Sequence, residues 1–276
     1  MRERLFPRWG AALFALLPFS EILYARIDGQ TAYAAAIASL FCALVCAGCV
    51  RLAPFWRQYR VLVWGLALFS VWPLTRSLAR MGLFVQRTAF PTRPLWSLIL
   101  LLTVAALLLA RVGLIRCAMW SLPTAAAAGV ILALSGLLTL REHNMAYFEA
   151  PMWSLWTQTG ALIRSMLPAA LALSLAMPEG LSAAAVRGFS AGGALFALIS
   201  LRAVLLLGAH TAALLPYPNF AAAGLAAVGD FARHGEVFFA VPLVLCDLGR
   251  AAALACVLIG PFAQAQKAFR AQKKDA

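Results

Sequence analysis

Long stretches of this 276-residue chain contain no Asp, Glu, Lys or Arg, among them Gly29 to Val50, Pro94 to Ala110 and Cys117 to Leu140, which are 22, 17 and 24 residues long. A helix needs roughly 20 apolar residues to cross a bilayer core, so runs of this length constrain the chain before anything else does. Backbone polar groups in lipid must be satisfied within the protein, which leaves helices or a closed barrel. Barrel strands alternate apolar and polar residues, and these runs are continuous instead. Composition agrees: 63% of residues are hydrophobic and 12% charged, with a mean hydropathy of +0.86, against about 45–50% and 25% in soluble domains. That excludes an ordinary soluble enzyme. The fold class is all-α, a polytopic membrane helix bundle.

Apolar runs and their Pro, Gly and charge punctuation give eight candidate helices, near residues 9–26, 31–53, 60–81, 94–111, 114–140, 160–178, 187–214 and 235–263. Residues 1–263 then form a single transmembrane domain and 264–276 a basic cytoplasmic tail. The interval Arg141 to Gly160 is too short for an extramembrane domain and carries Trp153 and Trp156, aromatic residues of the interfacial type. Met1 to Arg8 leads into an apolar stretch with no small-residue cleavage site, so the first helix is expected to remain in the mature protein.

The net charge is +13 and the pI about 10.4, but the basic residues are scattered between apolar runs and cluster only at the C-terminus. The bilayer, not a nucleic acid, is therefore the expected partner of this charge. With eight spans both termini share one side, together with Arg2, Arg4, Arg8, Arg51, Arg57, Arg60, Arg111, Arg116, Arg187, Lys267, Arg270, Lys273 and Lys274. The positive-inside tendency makes that side cytoplasmic. Arg76, Arg80, Arg87 and Arg93 fall around the third loop on the opposite side and weaken the asymmetry.

No P-loop, HExxH, GxSxG or CxxC motif is present, and the three histidines are too far apart in sequence to form a motif, so no enzyme and no cofactor are expected. Cys42, Cys46 and Cys49 share a helix face, but no His, Asp or Glu stands near in sequence to complete a metal site; packing is their expected role.

What remains is polar or helix-breaking residues at membrane depth, where a charge is costly unless it faces the protein interior. Pro18 in Leu17-Pro18-Phe19-Ser20-Glu21 and Pro168 in Ser165-Met166-Leu167-Pro168 interrupt the first and sixth spans. Interrupted helices in the two halves of a chain are a pointer to transporters, whose half-helix ends meet a ligand near the midplane. Two harmless kinks fit the same residues. Asp247 and Arg250, three apart, can neutralise each other on one helix face. Arg202 and His210, eight apart, are expected on one interior face.

Three segments resemble the endospore germination permease family, the B subunits of germinant receptors. The longest holds Leu207-Gly208, Leu215-Pro216-Tyr217-Pro218 and then Gly229-Asp230-Phe231 followed by Glu236, in the order of the family's Leu-Gly, Tyr-Pro, Gly-Asp-Phe and Arg-x-Glu steps. Phe90-Pro91-Thr92-Arg93-Pro94-Leu95-Trp96 is similar to the family's Leu-Pro-x-Thr-Pro-Leu-Trp, which leads into the fourth helix. Ala110-Arg111-Val112-Gly113-Leu114 is similar to its fourth-to-fifth connection. Departures are His234 in place of the usual Arg, Arg93 in place of Thr, and Met119 in place of an Arg.

The resemblance implies a shortened inverted-repeat fold of the amino acid/polyamine/organocation transporter type, with the second repeat lacking its last two helices. It further implies a spore inner-membrane subunit that senses a small germinant such as an amino acid and acts with A-type and C-type receptor subunits. By position, the ligand site would lie around Leu17, Pro18 and Ser20 and around Met166 and Pro168. An amino-acid transporter with real flux, or a structural subunit that has lost ligand binding, are the alternatives.

Overall fold

The computed structural model describes residues 7–139, 143–147, 154–177, 180–225 and 235–275. Among them the elements are α1 (Pro7–Ile22), α2 (Thr31–Gln58), α3 (Arg60–Thr88), α4 (Leu95–Ala110), α5 (Leu114–Leu138), α6 (Leu155–Ala176), α7 (Ser182–Leu207), α8 (Ala209–Leu214), α9 (Pro218–Gly224) and α10 (Gly235–Asp275), with a 3-10 turn at Met145–Tyr147. The described chain is an all-helical bundle. Six of these helices, α2, α3, α5, α6, α7 and the Glu236–Pro261 part of α10, are long and apolar enough to cross a membrane. That is the make-up of an integral membrane protein.

Each of the eight expected spans coincides with a helix, but two are short. α1 and α4 have 16 residues each, about 24 Å of axis against a hydrocarbon core of roughly 30 Å. The seventh expected span divides at Gly208, whose φ of +79° ends α7 before α8 begins. Gly113, with φ +94°, reverses the chain between α4 and α5. Pro94 is the N-cap of α4 and Pro218 stands in the first turn of α9, where a missing N–H costs nothing. The third span runs past its expected end at residue 81 to Thr88, which takes Arg87 into the helix with Arg76 and Arg80. Of the four arginines grouped around the third loop, only Arg93 lies in the connection between α3 and α4. α10 is 41 residues long, and its backbone stays helical through the basic segment after residue 263 to Asp275.

The interior prolines do not break their helices. α1 continues through Pro18 to Ile22 and α6 continues through Pro168 to Ala176, which favours the kink over the break at both residues. A proline removes one backbone hydrogen bond and crowds one carbonyl, and tight packing holds the helix through the gap.

α1 is the axis of the bundle. It packs against α7, α5, α10 and α6, while α2 packs on α6 and α7, and α10 packs on α3, α4 and α5. From Ala12 to Ile22 every α1 residue is buried. Between membrane helices there is little hydrophobic drive, so close approach through small residues matters. Gly188 and Gly192 of α7 supply it: a Cβ at Gly188 would run into the Ala11 carbonyl and stand 2.8 Å from the Phe14 Cβ, and one at Gly192 would stand 3.0 Å from the Ala15 carbonyl oxygen. Outward faces of α4 and α5 carry exposed Trp96, Leu101, Leu108, Trp120 and Leu137, the surface a lipid-facing helix presents.

After Ile22 the chain runs irregularly from 23 to 30, yet Leu23, Ala25, Ile27 and Gln30 are buried. Non-helical backbone at such a position needs protein partners. They are present: the Tyr24 and Ala25 amides donate to the Glu21 carbonyl, the Asp28 amide to Thr31 Oγ1, the Gln30 amide to Asp28 Oδ1, and Asn219 Nδ2 to the Ile22 carbonyl at 2.6 Å. α1 therefore ends inside the protein.

Candidate functional site

Where α1 ends, four helices contribute charged or hydroxyl side chains to one network. Glu21 lies on the last turn of α1 and is 2% exposed, and its carboxylate accepts four hydrogen bonds. Arg80 of α3 grips it as a fork, Nη2 to Oε1 at 2.8 Å and Nη1 to Oε2 at 2.9 Å. Arg250 of α10 donates Nη1 to Oε1 at 3.0 Å, and Ser165 of α6 donates Oγ to Oε2 at 2.6 Å. A carboxylate offers about four lone-pair sites, so Glu21 is saturated.

Arg250 extends the network. Its Nη1 also donates to Ser20 Oγ at 2.6 Å, and its Nη2 donates to Ser77 Oγ at 3.1 Å and pairs with Asp247 Oδ1 at 3.0 Å. Ser77 of α3 in turn donates to Asp247 Oδ1 at 2.6 Å. Two carboxylates thus face two guanidinium groups, and the buried cluster is formally neutral. Neutrality and hydrogen bonding are the conditions under which buried charges are tolerated; here the Arg80 Nε, Arg250 Nε and Asp247 Oδ2 atoms are buried without a partner among the described residues. The placement also suits α1, because cations are favoured at the negative end of the helix dipole.

Depth follows from the partners. Ser165 stands midway along α6, and Asp247 and Arg250 midway along the apolar Glu236–Pro261 part of α10. The network lies at the middle of the bundle. Aromatic rings cover it: Tyr24 stacks over the Arg80 guanidinium at 4.5 Å, and Phe84 meets Tyr24, Tyr217 and Phe220 edge-on at 6.1, 5.0 and 5.5 Å. A cavity of about 10 Å³ lies beside the network, lined by Trp72, Pro73, Arg76, Arg80, Ser165, Pro168 and Arg250 among others. It has room for about one water and none for an amino acid.

The residues singled out from sequence divide accordingly. Ser20, Glu21, Asp247 and Arg250 meet in the network. Leu17 and Pro18 are buried one turn earlier on α1, the Leu17 carbonyl accepting from Ser20 Oγ at 2.8 Å. Met166 is buried on α6 and Pro168 borders the cavity. Arg202 and His210 do not share an interior face. Arg202 is buried and donates to Thr139 Oγ1 at 2.8 Å and to the Ala222 carbonyl at 3.2 Å, tying α7 to the end of α5 and to α9, whereas His210 lies beyond the Gly208 break and is exposed. Tyr217 packs on Phe84, and Glu236 approaches α9, its Oε2 standing 3.2 Å from a Cβ built at Gly224. Trp153, Gly229, Asp230, Phe231 and His234 lie outside the described residues. Cys42 and Cys46 are buried in α2, and among the described residues no three His, Cys, Asp or Glu gather as a metal site would require.

Sequence reading missed Ser77, Arg80 and Ser165. The spacing of Ser77 and Arg80, three apart on one face of an apolar helix, was the available signal. No protein-family model and no curated protein matches the chain.

Proposed function

We propose that the chain is the membrane subunit of a spore germinant receptor, sensing a small germinant such as an amino acid at the inner end of α1 and passing the state of that site to A-type and C-type subunits. The observation that carries it is Glu21, a carboxylate on the last turn of a helix that ends inside the bundle, held by Arg80 and Arg250 from two other helices. The germination-permease motifs supply the physiological setting. A ligand carboxylate is chemically equivalent to the Glu21 side chain. By competing for one guanidinium fork it would release α1 from α3 or α10 and favour a second packing of the bundle. Ligand affinity for that second state over the first sets how far the equilibrium moves. In this reading α1 with the 23–30 segment, and α4, complete eight crossings of a shortened inverted-repeat fold, and the arginine-rich ends of α2 and α4 face the cytoplasm.

Tagged protein purified from spore inner membranes tests the assignment. A-type and C-type subunits are expected to accompany it. Recovery of the protein alone, or from vegetative membranes only, contradicts the assignment and puts measurement of amino-acid flux in proteoliposomes first. A second reading is favoured by one specific observation. The cavity of about 10 Å³ beside a saturated carboxylate suits a structural subunit in which Glu21 permanently occupies the place of a ligand. The two readings part on whether any amino acid stabilises the purified protein.

A further inference from the structure

Two arginines stand on the outside of the bundle at a depth where lipid offers them nothing. Arg76 is exposed on α3 and Arg164 on α6, each within one turn of the middle of its helix. They are neighbours: Arg76 Nη1 donates to the Arg164 carbonyl oxygen at 3.4 Å, and Arg164 Nε donates to the Gly160 carbonyl of its own helix at 3.2 Å. No carboxylate pairs with either among the described residues. Around them the α3 face is apolar, with Leu68, Phe69 and Trp72 exposed. Arginines at helix ends can snorkel to headgroups, but these two lie near the centre of spans long enough to cross the core, where an uncompensated charge is costly.

We propose that the α3–α6 face carrying Arg76 and Arg164 docks a transmembrane helix of a different protein that bears an Asp or Glu near its midpoint. Charge complementarity sets the occupant. A lipid phosphate sits at the headgroup level, not at mid-span. A second copy of this chain does not fit: Glu21 and Asp247 are consumed in the interior network, Asp28 lies in the irregular segment before α2, and Glu236 lies at the start of α10. The other acidic residues fall outside the apolar spans in the sequence. Copies meeting through this face would set arginine against arginine. The inference requires only that α3 and α6 cross a bilayer and holds whatever α1 binds.

The test uses the full chain, donor-labelled, in zwitterionic vesicles with acceptor-labelled Leu/Ala transmembrane peptides that carry Glu, Gln or Leu at the centre. Energy transfer is expected to report association about tenfold tighter for the Glu peptide than for the Leu peptide, the scale of one strong interhelical polar contact. The preference should vanish in an Arg76→Leu/Arg164→Leu variant whose melting temperature and circular dichroism match the parent. Equal association of all three peptides, or a Glu preference that survives removal of both arginines, overturns the proposal. So does a preference abolished by adding phosphatidylglycerol to the vesicles, since the face would then be covered by anionic lipid.

Discussion

Glu21 is a hub of the interior, because four donors from three other helices converge on it. Replacing it by Gln leaves Arg80 and Arg250 buried with their counter-charge halved. Breaking a buried pair from one side costs about 3–5 kcal/mol, so Glu21→Gln is expected to lower thermal stability in detergent sharply. Glu21→Gln combined with Arg80→Gln should cost less than the sum of the two single changes. The difference in a double-mutant cycle, about 0.5–3 kcal/mol for contacting residues, measures the fork directly, and strict additivity would deny it. Ser77→Ala removes a hydroxyl that donates to Asp247 and accepts from Arg250; a loss of about 1–3 kcal/mol is expected on unfolding. At this scale the sequence was partly legible. A carboxylate or an ion pair within an apolar run announces itself by its cost, which is why Glu21, Asp247 and Arg250 stood out. A serine in an apolar run costs little and so gives no signal, and only the packing of the helices gives Ser77 and Ser165 their partners. Arg80 was counted with the charges around the third loop although it falls inside the expected 60–81 span, and only the packing of the helices shows that it faces Glu21.

Elements were more legible than their ends. Long apolar runs made the six helices that are long enough to cross a membrane visible, because covering a bilayer needs about 20 residues whatever the tertiary structure. Pro18 and Pro168 could be read as breaks or as harmless kinks, and both helices continue through them. The real interruption of the first helix comes after Ile22, where burial of residues 23–30 and the Asn219 bond to the Ile22 carbonyl compensate the irregular backbone. No local signal marks that, because the compensating residue lies 197 positions away. Gly208 was the opposite case, a residue inside an apolar run that ended a helix through its positive φ. Gly208→Ala should cost about 1–3 kcal/mol, the usual penalty for a side chain in a glycine-only region, read as a drop in melting temperature without change of oligomeric state. Gly188→Val should do more, since it meets the α1 backbone and not a flexible side-chain end. Loss of a Cys–Cys cross-link engineered between α1 and α7 would register the separation.

The whole molecule is organised around a short central helix between two sets of longer ones, joined at mid-depth by a neutral ionic cluster. Such a cluster gives orientation and registry more than net stability, because desolvation offsets much of the attraction. Loss of one ion pair would alter contacts in α1, α3, α6 and α10 together, which is what the proposed sensing role requires. Topology is testable by labelling single cysteines placed in the two α-helical connections at 111–113 and 89–94: the first is expected to react only with reagent delivered from the cytoplasmic side, the second only from the opposite side. The account rests on the claim that a small carboxylate ligand competes with Glu21 for Arg80 and Arg250. Thermal shift of the purified protein across the twenty amino acids, in parallel with an Arg80→Lys variant that keeps the charge and loses the fork, tests it most directly. The expected result is stabilisation of the parent by one or a few amino acids and loss of that response in the variant. Stabilisation by none of them, or an equal response in both proteins, would contradict it.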